Sequence, residues 1–230
     1  MEILGNGGAF DKVSSSFLIE VDFLIEPLSN GLFLIDCGNG IFEQVKDKKI
    51  QQIFITHTHF DHIADLERLV YYNFFVHNLK TYVLAGKKVL EELKIIFKDK
   101  FNSIYVNGEI IKIDEYCIFI EAKENDYIET FEVNHGQFNC YGLYLKKNNI
   151  IISGDAKASY SILEKIKQNK DKNLIVYHDL NLHQNSYNSV HMCLDDFKNV
   201  YKEVINKVEW KFYHTGKEKI LTLSDIKEML

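Results

Sequence analysis

The stretch Thr56-His57-Thr58-His59-Phe60-Asp61-His62 places three imidazoles and a carboxylate within six residues. It follows the apolar run Ile53-Phe54-Ile55, which predicts a buried strand. Alternate residues of an extended segment face the same way, so His57 and His59 can bind one cation, while Asp61 and His62 point to a neighbouring position. Imidazole and carboxylate ligands suit a borderline transition metal, with zinc first. A buried structural role explains the stretch poorly, because four polar side chains cannot all be buried without partners.

Two metal sites need more ligands than this stretch supplies, and three further candidates stand at the ends of predicted strands. His135 follows Phe131-Glu132-Val133, Asp155 follows Ile150-Ile151-Ile152, and His214 follows Phe212-Tyr213. A rigid sheet delivers side chains at strand ends into a cleft. Each residue taken alone would more often be structural, but together with the first stretch they form an ordered pattern.

The order HxHxDH, His, Asp, His resembles the metallo-β-lactamase superfamily, and the resemblance runs from Leu4 to Gly216. It implies an α/β fold, namely an αβ/βα sandwich of two mixed sheets flanked by helices. It also implies the following ligands: His57, His59 and His135 for one metal ion, Asp61, His62 and His214 for a second, and Asp155 as the bridge. The implied cofactor is two divalent ions, with Zn²⁺ favoured and Mn²⁺ or iron as alternatives. Asp65 departs from the family pattern, which often has glycine there, but an acid near a helix N-terminus is favourable.

The chemistry of such a centre predicts a hydrolase. Two metal ions about 3.5–4 Å apart clamp a substrate, and a water that bridges them has its pKa lowered toward about 7. We count Asp61 among the catalytic residues as well as among the ligands. The resulting nucleophile can attack phosphorus, a lactam or lactone carbonyl, or a thioester, so the motif alone leaves the substrate open.

Two further segments are similar to the phosphodiesterase branch of the superfamily, which includes the tRNA 3′-processing endonuclease RNase Z and smaller cyclic-nucleotide phosphodiesterases. The first is the opening Leu4-Gly5-Asn6-Gly7-Gly8-Ala9-Phe10 with Leu34-Ile35-Asp36-Cys37-Gly38. The second is Val176-Tyr177-His178-Asp179, followed by Val190-His191-Met192. The resemblance implies that Asp179 orients His191 and that His191 acts as the general acid for the leaving alkoxide. Met192 departs from the serine that is usual there, and His178 and His183 receive no role.

Charge and size favour a small phosphodiester as the substrate. The chain has 27 basic and 33 acidic side chains, a net charge of −6, and Arg68 as its single arginine. That balance argues against binding of extended nucleic acid, and the segment between His135 and Asp155 is too short for the arm with which RNase Z holds tRNA. By resemblance, cyclic nucleotides fit best, including the bacterial antiphage signals that phage-encoded members of this branch degrade.

Three alternatives stay open. The chain can be an RNase Z-like tRNA 3′-processing endonuclease, or a lactone or thioester hydrolase of the same fold. The third alternative, from another class, is a metal-stabilised nucleotide-binding protein without turnover.

The pattern along the chain predicts one domain over residues 1–230, with no linker, signal peptide or membrane span, and a cytoplasmic location. A homodimer is implied by resemblance only. The predicted strands are Met1–Leu4, Ser16–Glu20, Gly31–Asp36, Gln52–Thr56, Thr81–Leu84, Cys117–Ala122, Ile128–Val133, Gly142–Lys146, Asn149–Ser153, Leu174–His178 and Lys211–His214. The predicted helices are Gly40–Asp47, His62–Val76, Lys87–Phe97, Ser159–Gln168, Leu194–Lys207 and Leu223–Leu230.

Overall fold

The computed structural model describes residues 1–8, 11–21, 31–98, 100, 103–170, 173–182, 190–215, 217 and 219–228. The chain divides into two compact units. The first comprises Met1–Gly5 and Ala9–Ala122, and the second comprises Asn6–Gly8 and Lys123–Leu230. Each unit contains one six-stranded mixed sheet, as the sequence predicts. The assignment of the whole chain to one domain stays a prediction.

The sheet of the first unit has the strand order β1-β2-β3-β4-β5-β8. Its strands are β1 (Glu2–Gly5), β2 (Ser16–Val21), β3 (Gly31–Ile35), β4 (Gln52–Ile55), β5 (Thr81–Ala85) and β8 (Cys117–Glu121). A hairpin of β6 (Ile104–Val106) and β7 (Glu109–Ile111), which the sequence did not predict, lies outside this sheet. β3, β4, β5 and β8 run parallel. The side chains of β4 are all buried, as expected of a parallel strand covered on both faces.

The helices of the first unit connect these strands. They are α1 (Phe42–Val45), followed by a 3₁₀ turn (Lys46–Lys48), α2 (Phe60–Ile63), α3 (Leu66–His77), α4 (Lys87–Ile96) and α5 (Ile113–Tyr116). The sequence predicted a single helix over His62–Val76, and that prediction is wrong at its start. Asp65 leaves the helical conformation because its backbone N–H donates to the Cys37 carbonyl at 3.0 Å and its carboxylate accepts from the Phe42 amide at 3.0 Å. These two bonds separate the short α2 from α3.

The sheet of the second unit has the strand order β14-β13-β12-β11-β10-β9. Its strands are β9 (Ile128–Glu132), β10 (Tyr141–Leu145), β11 (Ile150–Ile152), β12 (Ile175–Asp179), β13 (Glu209–Tyr213) and β14 (Leu221–Thr222). β11, β12 and β13 run parallel. Parallel strands end at the same edge of a sheet, so Asp155, Asp179 and His214 follow or end neighbouring strands on one side of it.

The helices of the second unit are α6 (Tyr160–Asn169), α7 (Leu194–Val200) and α8 (Leu223–Glu228). The sequence predicted that α7 would continue to Lys207, but it ends at Val200. Tyr201 leaves the helical region and buries its ring 5.1 Å from that of Trp210, whose indole N–H donates to the Ile205 carbonyl at 3.0 Å. Packing of the aromatic core thus ends the helix early. None of the helices in the described ranges is long and apolar enough to cross a lipid bilayer.

The amphipathic helix α3 provides a stability test with an internal control. Leu69 is fully buried on its inner face, whereas Val76 is 57% exposed. Leu69→Ala should lower the free energy of unfolding by about 2–5 kcal/mol, because it leaves a cavity in the core. Val76→Ala should change it by less than about 0.5 kcal/mol. Urea unfolding curves of both variants measure the difference, and equal midpoints would contradict the packing described here.

Candidate metal centre

His57 and His59 lie in the loop between β4 and α2, and their rings face each other edge to face. The Nε2 atom of His57 is 3.1 Å from the Nδ1 atom of His59. Two ligands of one tetrahedral zinc ion, each about 2.0–2.2 Å from the metal, lie roughly 3.4 Å apart. This pair of nitrogens therefore has a spacing that one metal ion can use, and the role of both residues as ligands stays a prediction.

Asp61 and His62 lie next to this pair, in the short helix α2. Both are buried, and the Oδ2 atom of Asp61 is 3.6 Å from the Nε2 atom of His62. That separation is too long for a strong hydrogen bond and close to the separation of two ligands on one ion. The rings of His57 and His62 lie 4.0 Å apart, so all four residues of the predicted stretch surround one small region of the first unit.

A buried carboxylate, Asp36, holds this group of residues in place. It accepts hydrogen bonds from the Thr56 amide at 2.8 Å, from the Thr56 hydroxyl at 2.8 Å and from Nδ1 of His62 at 2.7 Å. Since the one proton of the Thr56 hydroxyl goes to Asp36, its oxygen accepts from Nδ1 of His57 at 3.0 Å. Both histidines thus carry their proton on Nδ1 and direct a lone pair from Nε2, the form that a metal requires.

The buried position of Asp36 changes the pKa of its carboxyl group. Burial raises the pKa of its carboxyl group above the ordinary value, while the hydrogen bonds from His62 and Thr56 oppose that rise. Asp36 is not among the site residues that the sequence predicts. A polar residue directly after the buried strand β3, ahead of Cys37-Gly38, was the available signal.

Gly38 brings the loop after β3 against α2. A Cβ atom at Gly38 would lie 1.7 Å from the backbone oxygen of Asp61, so no other residue fits without movement of the backbone. The Cys37 amide donates to the His62 carbonyl at 2.8 Å. The loop therefore fixes the backbone of Asp61 and His62 as well as the His62 ring.

In the second unit, Asp155, Asp179, His191 and His214 each offer a ligand atom within 4.8 Å of the others. The Oδ2 atom of Asp155 is 3.6 Å from Nδ1 of His214, again the spacing of two ligands rather than of a hydrogen bond. His135 lies beside them, with its ring 5.4 Å from that of His191. The carbonyl of Val190 accepts from Nδ1 of His135 at 3.2 Å, which leaves the lone pair on Nε2.

Asp179 and His191 form a separate pair within this cluster. Nδ1 of His191 donates to the Oδ2 atom of the fully buried Asp179 at 2.7 Å, and it is 3.7 Å from Asp155. Because Nδ1 shares its proton with Asp179, Nε2 is the ring nitrogen that stays available to bind a metal ion or to exchange a proton. The His191 side chain is 19% exposed. The structure thus brings the two residues together, and their catalytic roles stay predictions.

The remaining histidines have structural surroundings or fall outside the described residues. His178 is fully buried, with Nδ1 donating to the Asp179 carbonyl at 2.9 Å and Nε2 accepting from the Tyr201 hydroxyl at 3.0 Å. Burial raises the pKa of Tyr201 well above its ordinary value, so its hydroxyl keeps the proton that it donates. His77 donates from Nε2 to the Lys46 carbonyl at 2.6 Å. His183 lies outside the described residues.

A family model matches nearly all of the chain. The model for "Anti-Pycsar protein Apyc1" matches residues 1–228. The chain belongs to this family. An Apyc1 protein of Bacillus phage vB_BsuM-Goe3 is 30% identical over 135 residues, which cover 55% of this chain and 49% of that protein. This chain thus spans about half the length of the curated Apyc1 relative that it matches.

Solved structures establish the fold. YhfI of Bacillus subtilis, a metallo-β-lactamase fold protein, superposes with a TM-score of 0.68 at 16% identity, over 93% of this chain and 84% of that one. The short form of human tRNase Z superposes with a TM-score of 0.61 at 14% identity, over 95% and 97% of the two chains. The Apyc1 family member described here therefore has the metallo-β-lactamase fold, which confirms the fold class and the resemblance stated from the sequence.

The Asp36 network gives a test of the first-unit ligands. Asp36→Asn should lower metal affinity about 10–100-fold, because an amide that donates toward His62 favours the wrong tautomer of the imidazole. Asn73→Ala is the control, since Asn73 is equally buried in the same unit and bonds the Ile50 carbonyl and the Thr81 hydroxyl instead of a histidine. Competition with a chromogenic chelator measures both affinities. A loss in the control as large as in Asp36→Asn would assign the effect to general destabilisation.

Proposed function

We propose that this chain is a metal-dependent phosphodiesterase that hydrolyses a small phosphodiester such as a cyclic nucleotide. The observation that carries the proposal is the His191–Asp179 pair, a 2.7 Å hydrogen bond beside the ligand-type contact of Asp155 with His214. Membership of the Apyc1 family and the metallo-β-lactamase fold support it.

The proposed cofactor is two divalent metal ions. The proposed ligands are His57, His59 and His135 for one ion, Asp61, His62 and His214 for the other, and Asp155 for both. Nitrogen and oxygen donors favour Zn²⁺, with Mn²⁺ or iron as alternatives. When bound, such ions neutralise charge on a phosphodiester and activate water. The fit rests on the donor chemistry, since His57, His62 and His135 each have Nδ1 bonded to a protein oxygen and the lone pair on Nε2.

In this proposal His191 supplies a proton to the leaving oxygen. The buried Asp179 carboxylate accepts from Nδ1, which fixes the ring and stabilises its protonated form. Nε2 then delivers the proton to the departing ribose oxygen, as general acids do. His178 sits directly before Asp179 and bonds its carbonyl and Tyr201, so Asp179 is held from its backbone as well.

Charge supports a small substrate. With a net charge of −6 and one arginine among its 27 basic residues, the chain lacks the excess of positive charge that binding of extended nucleic acid needs. We further propose that the chain forms one domain over residues 1–230 and a cytoplasmic homodimer. Size-exclusion chromatography with light scattering tests the dimer.

Metal content and a substrate screen test the proposal together. Protein purified without chelator should contain about two metal ions per chain and hydrolyse a cyclic mononucleotide or cyclic dinucleotide. Chelation should abolish turnover, and Zn²⁺ or Mn²⁺ should restore it. Precursor tRNA and a lactone serve as comparison substrates.

The outcomes of this screen separate the alternatives. Efficient trimming of the tRNA 3′ trailer would identify an RNase Z-like nuclease instead. Lactone turnover alone would point to a carbonyl hydrolase. A nucleotide that is bound but unchanged over hours would leave a binding protein, and a metal-free chain would contradict the metal centre itself.

A change of leaving group tests His191. His191→Ala should leave metal content unchanged and lower kcat about 10²–10⁴-fold on a ribose phosphodiester, the range for a lost general acid. It should lose far less on bis(p-nitrophenyl) phosphate, because nitrophenolate departs without a proton. Asp179→Asn should show the same pattern more mildly, and His77→Ala, outside the site, should lose little on either substrate. Equal losses on both substrates, or a missing metal ion, would make His191 structural or a ligand.

A further inference from the structure

We propose that Asn6 and Gly8, in the loop after β1, are positioning residues for His214. The inference rests on the proposed function, because it takes His214 as a metal ligand. It assigns a task to the opening segment Gly5-Asn6-Gly7-Gly8, which the mechanism above does not use. Asn6–Gly8 belong to the second unit together with His214.

The Asn6 side chain holds the loop that carries His214. It is buried, its Nδ2 atom donates to the carbonyls of Lys217 and Lys219, both at 2.9 Å, and its Oδ1 atom accepts from the His214 amide at 2.9 Å. One side chain thus satisfies three backbone groups of this loop. All three hydrogen bonds are partly buried, so water replaces them only incompletely when they are broken. Loss of this amide would therefore weaken the restraint on the backbone of His214.

The backbone of His214 depends on such external bonds. Its φ is 61°, in the left-handed region that side-chain-bearing residues avoid. On its N-terminal side the hydroxyl of Tyr213 donates to the Gly154 carbonyl at 2.7 Å, next to Asp155. His214 is therefore fixed from one side through Tyr213 and from the other through Asn6.

Gly8 leaves space for the imidazole ring of His214, whereas Asn6 bonds the backbone of that residue. A Cβ atom at Gly8 would lie 2.3 Å from Nε2 of His214 and 3.0 Å from its Cδ2. The opposite ring nitrogen, Nδ1, faces Asp155 at 3.6 Å. A side chain at position 8 would therefore push the imidazole out of its place beside Asp155.

Space, not backbone conformation, excludes a side chain at position 8. Among the described glycines, those with positive φ are Gly40, Gly108, Gly136 and Gly154, and Gly8 is not one of them. A turn that needs glycine for its backbone conformation would have shown a positive φ here. The loop therefore serves the placement of the ring.

Metal binding by the full chain tests the proposal. The variants are Asn6→Ala, Asn6→Asp and Gly8→Ala. Asn6→Asp keeps the acceptor for the His214 amide and loses both donations. The readouts are metal ions per chain by elemental analysis, stepwise affinity by competition with a chromogenic chelator, and the Tm of the metal-free protein.

Two control variants separate positioning from general destabilisation. Asn169→Ala removes another buried asparagine of the second unit, which bonds the Tyr144 hydroxyl and the Lys165 carbonyl. Gly142→Ala introduces a clash with the Phe131 ring at 2.6 Å, between β9 and β10. Both should lower the Tm of the metal-free protein and leave two metal ions bound at unchanged affinity.

The expected result is a selective effect on one metal ion. The wild-type chain should bind two ions, whereas Asn6→Ala and Gly8→Ala should keep one and bind the other at least about 10-fold more weakly. Asn6→Asp should fall between them and the wild type. If the alanine variants do not fold, Asn6→Asp and its stepwise affinities decide the question.

Failure of the proposed function and failure of the positioning role give different results. A wild-type chain that binds no metal overturns the proposed function. A wild-type chain that binds two ions, with Asn6→Asp and Gly8→Ala binding both at unchanged affinity, overturns the positioning role alone. The positioning role is also overturned if the control variants lose metal as strongly as the Asn6 and Gly8 variants do.

Discussion

A histidine can bind a metal only through a nitrogen that carries no proton, so the other ring nitrogen has to hold the proton against a fixed acceptor. Both units meet this constraint with oxygens of the protein. Asp36 accepts from His62 directly and orients His57 through Thr56. In the second unit the Val190 carbonyl does the same for His135. Asp36 and Thr56 directly follow β3 and β4, and Val190 lies beyond β12, so all three acceptors stand in segments that follow strands.

Most of the sheet structure could be predicted because buried strands leave a strong signal. Ile53-Phe54-Ile55 and Ile150-Ile151-Ile152 are continuous apolar runs, and both are strands within one residue of the expected bounds. The failures lie where tertiary bonds override local preference. Asp65 breaks the predicted helix at a hydrogen bond to Cys37, a residue far away in the sequence. Short elements such as α5 and the β6–β7 hairpin have too few residues to show a period.

The candidate site likewise has a part that the sequence could predict and a part that it could not. The residues that offer ligand atoms are chemically conspicuous, and the order of His57, His135, Asp155 and His214 in the sequence was enough to suggest them. The residues that hold these ligands are not conspicuous. Asp36 and Asn6 are ordinary polar residues until the fold shows what they bond, and the partners of Asn6 lie more than 200 residues away. Sequence patterns report the chemistry of a site, while its supporting contacts depend on the tertiary structure.

Several residues that follow strands have a positive φ. Asp36 and His214 have φ values of 60° and 61°, and Gly136 and Gly154 have 68° and 64°. Within its own unit, each of the four adjoins or belongs to a group of candidate ligands, in the segment that follows a strand. Glycine adopts this conformation without steric cost, whereas a residue with a side chain keeps it only when surrounding bonds over-determine it. Asp36 has Thr56 and His62 as partners, and His214 has Asn6. In the proposed metal centre a carboxylate and an imidazole are needed at these two turns, so glycine cannot replace them, and the hydrogen bonds of their neighbours offset the strain instead.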